Sequence, residues 1–598
     1  MAAVRSGPGF DCHSAASIYD WIIKNMTSPP PSRNDGIWLA FALVVALLTI
    51  TFQMGSLPLI QPDEGRNAEV AREMKERGAW LVPTHNGQVY LDKPAFYFKA
   101  VAVSLAAFGD TEFAARLPSV LFAFGTLGIS WLFARRSLNP RAAAIAVLVT
   151  ATTPLFIIHA RTIIFDVALT LFVCGAIIAG HLAEAGPGRP CRGWHLVAAL
   201  SAGLGTLVKG PVGFAVPALV LIVHHLVEGR PRAVLRMFHP LNAAAFAVVV
   251  LPWFIGLSIA QPDFPHYGLV EETFNRFTTV KFQRTQPFHF YAWVVPATFL
   301  PWSLLLPQAA PMALWRWRSL GPVPRFAIIW SLVVVGFFSL SKSKLPGYVM
   351  SIAVPWGWLI GATIDSAMTN PRGAARRVVR NATGALGGIT LGASLAICFF
   401  GDAIVKMIRT NPDIDPARIQ AAWLPLLVMT STVASVAMAG WWLRKPAWGA
   451  AAFGLFPMLL VTLGGDVFLA VYDSRSARKM ALTMPRFSDE TQIVFYRCMP
   501  VGLPFYLGRT GTLVTKDGGE LASNYVKYNL ARHPERPPGI VDVDQFTVWF
   551  QQVRTPVYLV VQRHDEPWLK ELASSRGATV QGFFQGYYGA LIPPKEAL

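Results

Sequence analysis

The amino-acid sequence predicts a polytopic α-helical membrane protein that ends in a soluble α/β domain, and three observations predict it. Of 598 residues, 53% are hydrophobic and only 14% charged, with a mean hydropathy of +0.42, too apolar for a water-soluble globule. Apolar runs of roughly twenty residues, the length that spans a bilayer, recur about thirteen times. They begin near residues 37, 114, 142, 163, 194, 211, 240, 291, 325, 346, 382, 421 and 446. After about residue 471 these runs give way to short strand-like segments separated by turn residues.

Taken in order, the first 36 residues are mostly polar, with Pro29-Pro30-Pro31, and form an expected cytoplasmic segment. The apolar run after them lacks a small-residue cleavage pattern and reads as an uncleaved anchor. Basic clusters then fall in alternate gaps of the membrane domain, expected over 37–470. They are Arg135, Arg136 and Arg141; Arg189 and Arg192; Arg230, Arg232 and Arg236; Arg316, Arg318 and Arg325; Arg372, Arg376, Arg377 and Arg380; and Arg444 with Lys445. The positive-inside rule puts those gaps in the cytoplasm. Gaps 57–113, 260–290 and 341–347, with the tail from 471 to 598, then face the periplasm. The net charge of +18 therefore reports topology, and no nucleic-acid partner is expected. Five scattered cysteines show no paired spacing, so neither a disulfide framework nor a thiolate metal site is indicated.

The first external loop is expected to hold two helices. Glu64 to Arg77 is polar and ended by Gly78. Ala95 to Phe108 is apolar, but fourteen helical residues reach only ~21 Å against a hydrocarbon core of ~30 Å. That segment is placed at the interface. In the tail, Thr491–Tyr496 and Pro556–Gln562 read as strands, Glu566–Ser575 as a helix, and Asp517-Gly518-Gly519 as a tight turn.

Acids and bases concentrate where the chain meets water outside the membrane. Asp63 opens the first loop helix, a position that suits an N-cap as well as a catalytic acid. Asp166 stands at the external end of a membrane helix, where a charge without a purpose is costly. Arg161 is its candidate structural counter-ion. Together the two carboxylates can form a general-base or sugar-positioning pair. Lys93, Lys209, Lys342 and Lys344 all fall in external gaps, against the positive-inside trend. One such lysine can simply snorkel to headgroups. Four beside two acids suggest a phosphate site, because an anionic leaving group needs preorganised positive charge. Glu271, Glu272, Arg276, Lys281 and Arg284 add charge to the same face, and Arg66 and Glu69 share a helix with Asp63.

These motifs, in this order, resemble the bacterial lipid A aminoarabinose transferases within the protein mannosyltransferase-like group. They are Pro62-Asp-Glu-Gly-Arg66, Leu91-Asp-Lys-Pro94, Arg161-Thr before Asp166, Val208-Lys-Gly-Pro211, Ser341-Lys-Ser-Lys-Leu-Pro-Gly-Tyr348 and Leu503-Pro-Phe-Tyr-Leu-Gly-Arg509. The resemblance covers nearly the whole chain. It implies a GT-C fold and an inverting glycosyltransferase that moves a sugar, such as 4-amino-4-deoxy-L-arabinose, from a polyprenyl phosphate to lipid A or another envelope acceptor in the bacterial inner membrane. It implies Asp63 and Asp166 as catalytic acids, Lys93 as the phosphate-binding lysine and Tyr348 as the tyrosine of the family's Lys-Leu-Pro-x-Tyr motif; the charges themselves add Lys209 and Arg276 as candidates around the donor phosphate. Arg66, Glu69, Lys342 and Lys344 are the further substrate-binding candidates. Two departures bear on a divalent metal, the one cofactor the resemblance raises: Asp92 stands where the family often has Glu, and Thr273 where it often has His. An isolated Asp92 is a poor metal site. Two rival readings remain, a transferase of a hexose or hexuronic acid to lipopolysaccharide, lipid or protein, and a lipid or solute transporter.

Overall fold

A computed structural model describes residues 33–185, 190–279, 284–308, 317–408, 413–533 and 535–594. Most of the expected 1–36 segment, and Arg189, Lys281 and Arg316, lie outside them. Each of the thirteen apolar segments is helical, but they are not thirteen straight crossings. Eight helices among the described residues are long and apolar enough to cross a membrane, or ten if each bent pair counts as one. One pair, Pro140–Thr152 with Pro154–Ala160, bends by 67°; the other, Phe290–Thr298 with Trp302–Gln308, bends by 110°. Pro154 and Pro301 sit at these breaks, where proline's missing N–H removes a rung of the helical ladder. Asp35–Thr51 and Val212–Val227 are short for a span, and Arg192–Lys209 carries a cation at each end. A hydropathy window sees none of this.

The first loop folds as two helices, Asp63–Arg77 and Phe96–Phe108, separated by a small hairpin of β1 (Thr84–His85) and β2 (Gln88–Val89). Gly78, at φ +63°, takes the left-handed turn that ends the first helix. That helix is polar yet buried from Glu64 to Met74, although its composition suits a water-facing surface. Its charges are satisfied internally. Arg116, on the helix Glu112–Ser137, grips both oxygens of Glu64 at 2.8 and 2.9 Å and also reaches the carbonyls of Met54, Leu57 and Pro58. Both side chains are almost wholly buried.

The C-terminal unit is built on a six-stranded sheet. Its strands are β3 (Gln492–Tyr496), β4 (Thr512–Val514), β5 (Ile540–Val541), β6 (Val557–Gln562), β7 (Val580–Gly582) and β8 (Tyr587–Ile592), in the order β5-β4-β3-β6-β8-β7. The first four are parallel, and β8 and β7 add antiparallel. β6 is buried almost throughout, as a central strand covered on both faces should be. The helix Gly465–Asp473 runs through residue 471, so the expected boundary there falls inside an element and the unit begins after it.

This unit sits on the first loop. The Tyr506 hydroxyl accepts from the Leu59 amide at 2.7 Å, Asn86 exchanges two hydrogen bonds with Gly511, and Gln88 donates to the Pro538 carbonyl. Gly65 and Gly502 meet backbone to backbone: a Cβ on Gly65 would stand 2.6 Å from the Gly502 Cα. First loop and tail therefore share one side of the membrane domain.

Candidate active site

Asp63 is the first residue of its helix, preceded by Pro62, and its side chain caps nothing. The capping expectation fails because the carboxylate turns back to Arg66, at 2.7 Å, and remains 47% exposed at the mouth of a cleft. Arg66 is held in turn by the Ala522 carbonyl at 3.0 Å and lies over the Tyr90 ring. One exposed acid is thus presented on a buried support.

Lys93 comes next, after Asp92 in the strap that follows the hairpin. Its ammonium donates to the Asp92 carbonyl at 2.6 Å and to the Glu272 carboxylate, which Arg276 also grips. Glu272 lies on a π-helical stretch, Tyr267–Asn275, a rare conformation that concentrates at functional sites. Burial lowers the Lys93 pKa, with Glu272 opposing the shift. Burial would raise that of Glu272, but the Lys93 and Arg276 charges outweigh it and hold the carboxyl below its usual range. Arg276 is also hydrogen-bonded to Tyr348.

Asp166 and Lys209 close the far wall. Asp166 opens the helix Asp166–Ala185, Lys209 ends the helix Arg192–Lys209, and their side chains meet at 2.6 Å. The Lys209 ammonium stands 4.7 Å from the Tyr348 ring centroid, within cation–π range. Tyr348 is delivered by Pro346-Gly347-Tyr348, and Gly347 is what lets this turn approach. A Cβ there would lie 2.6 Å from His159 Nε2 and 3.2 Å from Asp166 Oδ1.

A single cleft of about 110 Å³ joins these groups, with five cations (Arg66, Lys93, Lys209, Arg276, Arg284) and three carboxylates (Asp63, Asp92, Asp166) in its wall. The local charge is net positive, as an anionic ligand requires. Not every expected residue arrives. Glu69 is fully buried with both oxygens on Arg72, each at 2.7 Å, and serves packing. Lys344 is buried and spends its ammonium on the carbonyls of Gln286 and Ser341, while Lys342 points outward. Arg161 is not the counter-ion of Asp166; it binds the carbonyls of Thr49 and Phe52 at the end of the first apolar helix. Sequence reasoning missed Tyr90 and Asn67, which sit beside the motif residues Lys93 and Arg66 but carry no charge to mark them, and the C-terminal contributions Ala522 and Asn524, since nothing local marks a residue that arrives from more than 400 positions away.

The chain has relatives along almost its whole length. The family model described as dolichyl-phosphate-mannose-protein mannosyltransferase matches residues 92–255. An undecaprenyl phosphate-alpha-4-amino-4-deoxy-L-arabinose arabinosyl transferase of Serratia proteamaculans is 27% identical over 550 residues, covering 88% of this chain and 93% of that protein. A Yersinia pestis protein of the same description is 27% identical over 539 residues, covering 87% and 92%. The crystal structure of ArnT from Cupriavidus metallidurans bound to undecaprenyl phosphate superposes with a TM-score of 0.76 at 25% identity, over 93% of this chain and 97% of that one. Its apo form superposes at 0.75. The chain is thus similar to aminoarabinose transferases along almost its whole length. It shares their GT-C fold and is a multi-pass membrane protein.

The donors around Asp92 in this chain do not fit a divalent metal. Asp92 already accepts from the Tyr267 hydroxyl at 2.6 Å, the Tyr525 amide at 2.7 Å and the Asn524 amide at 3.0 Å. The nearby Glu272 gives Oε1 to two cations and keeps only Oε2 unpartnered, Thr273 turns its hydroxyl to the Gly268 carbonyl, and no three ligating side chains gather among the described residues. Asp92 instead caps the C-terminal helix Asn524–Arg532 and fastens that unit to the strap carrying Lys93.

Proposed function

We propose that this protein is an inverting glycosyltransferase that moves 4-amino-4-deoxy-L-arabinose from undecaprenyl phosphate to lipid A at the periplasmic face of the bacterial inner membrane. The observation that carries the reading is the convergence of Lys93, Lys209 and Arg276 with Asp63 and Asp166 on one cleft at the ends of the helices that carry Asp166 and Lys209. A transporter would place such charges near the bilayer midplane.

In this mechanism the acceptor oxygen attacks the anomeric carbon from the face opposite the undecaprenyl phosphate. The new C–O bond forms as the bond to the phosphate oxygen breaks, and the electron pair leaves with the phosphate. A lipid A phosphate is already ionised, so no proton must be removed and positioning dominates. Asp63, the exposed acid at the mouth, orients acceptor and sugar. Asp166, held by Lys209, supports the positive charge that grows on the sugar. Lys93 and Arg276 take the charge that grows on the phosphate. Both cations grip Glu272, so the donor phosphate enters by competing with that carboxylate.

Mass spectrometry of lipid A from cells with and without the gene tests the proposal. The expected result is a gene-dependent increment of one 4-amino-4-deoxypentose on a lipid A phosphate. An increment of a hexose or hexuronic acid would overturn the sugar, and an unchanged lipid A the acceptor.

A further inference from the structure

The end of the molecule opposite the cleft carries a second charged cavity. The helix Pro346–Thr369 starts at the cleft with Tyr348, and its 24 residues carry the chain roughly 35 Å to the other side. There a cavity of about 520 Å³ opens between the start of the helix Ala374–Ile408 and the turn joining Trp423–Trp442 to Pro446–Leu463. Arg372, Arg376, Arg377, Arg380, Arg444 and Lys445 line it. Among the described residues none of the six forms an ion pair. Positive-inside bias explains basic residues on this side, but it does not explain their convergence on one concavity without a single acid.

The pocket is also structured. Arg376 donates to the Arg444 carbonyl at 2.7 Å, so the two basic segments are tied together. Arg380 lies 5.4 Å from the centroid of the Trp441 ring, and its Nε is buried with no partner. Arg444 sits at φ +56°, a backbone region where glycine is comfortable and arginine is not. Beside the pocket, Trp442 is 75% exposed, and Leu443 and Trp448 are nearly half exposed. Exposed tryptophans at a helix end mark the depth of the headgroup layer.

We infer that this pocket binds the headgroup of a two-phosphate glycerophospholipid, with the phosphates among the arginines and the acyl chains along Trp442, Leu443 and Trp448. One phosphate is satisfied by two or three cations; six with no acid suit two. Basic pockets between membrane helices on this side are a recognised form of anionic lipid site.

The test is native mass spectrometry of the full-length protein in detergent, titrated with diphosphatidylglycerol, phosphatidylglycerol, phosphatidylethanolamine or inorganic phosphate. The two-phosphate lipid should bind at least tenfold more tightly than phosphatidylglycerol. The triple variant Arg376→Gln, Arg380→Gln, Arg444→Gln should lose that preference. The charge-conserving Arg→Lys triple, a check on folding, should keep measurable preference, and Arg135→Gln with Arg136→Gln, in a different basic gap, should leave it unchanged. A preference that survives the Gln triple, or falls equally in the Arg135/Arg136 variant, would overturn the site. Displacement of the lipid by millimolar inorganic phosphate would overturn the lipid as its ligand.

Discussion

Replacing Asp63 by Asn removes one negative charge at nearly constant shape. Because the side chain caps no amide, Asp63→Asn should leave the protein folded in the membrane while transfer falls by on the order of 10²-fold or more. Single-turnover transfer with a short-chain polyprenyl-phosphate sugar measures it, and near-normal rates would remove Asp63 from the chemistry. Lys93→Ala should lose about 2–4 kcal/mol of transition-state stabilisation, roughly 10²- to 10³-fold in rate, with Lys93→Arg partly active. Gly347→Ala tests the approach of the Tyr348 turn. Its methyl would push His159 and Asp166 aside, so transfer should fall by roughly tenfold or more while expression stays normal. Unchanged kinetics in Gly347→Ala would show that the turn shifts freely.

Among the elements, the junction of the first loop and the C-terminal unit is where polar contacts decide stability. Asp92→Ala strands the Tyr267 hydroxyl and two helix amides, a loss of about 2–3 kcal/mol in docking. Faster limited proteolysis of the C-terminal unit should report it. His85, on β1, donates from Nε2 to the Val501 carbonyl at 3.4 Å, while its Nδ1 is buried without a partner. Burial and the nearby Arg66 lower its pKa from 6.5 to about 3. The unfolded state then binds more protons than the folded one at acid pH, so this stability is complete above about 6.5 and is lost as pH falls toward 3. His85→Gln should flatten the fall of the thermal midpoint between about pH 7.5 and 5; a slope unchanged from the parent would assign the acid sensitivity elsewhere.

The element scale also shows what the sequence could reveal. The long apolar helices, the helix Phe96–Phe108, strands β3 and β6 and the helix Glu566–Ser574 were legible because each is written in local periodicity. Asp63, Lys93, Asp166, Lys209, Arg276 and Tyr348 were legible as motif residues that reach one cleft. Partners were not. Lys209 against Asp166, Glu272 against Lys93, and Arg116 against Glu64 are contacts between distant segments, which no local pattern encodes. Glu69 and Lys344 misled because a charged residue near a motif looks functional until burial shows it satisfied.

At the scale of the whole molecule, the first loop and the C-terminal unit should be reachable from the same aqueous compartment, and the basic pocket from the other. In a background stripped of native cysteines, Glu76→Cys and Ser574→Cys should react with an impermeant maleimide on intact cells, and Asn370→Cys only after lysis. Labelling of Asn370→Cys on intact cells would invert the orientation.

The contact between Leu59 and Tyr506 joins residues 447 positions apart, and it sets a timetable for biogenesis. At about 5–20 residues per second, the ribosome needs roughly 20–90 s after making the first loop to deliver the chain that covers it. Throughout that interval Arg66 and Asp92 lack their C-terminal partners, and the growing membrane domain holds an unfinished catalytic wall. The cleft wall is therefore complete only when the C-terminal unit arrives. A variant that stops before this unit should therefore enter the membrane yet transfer no sugar, and a truncated variant with normal transfer would show that the wall works without its last contributors.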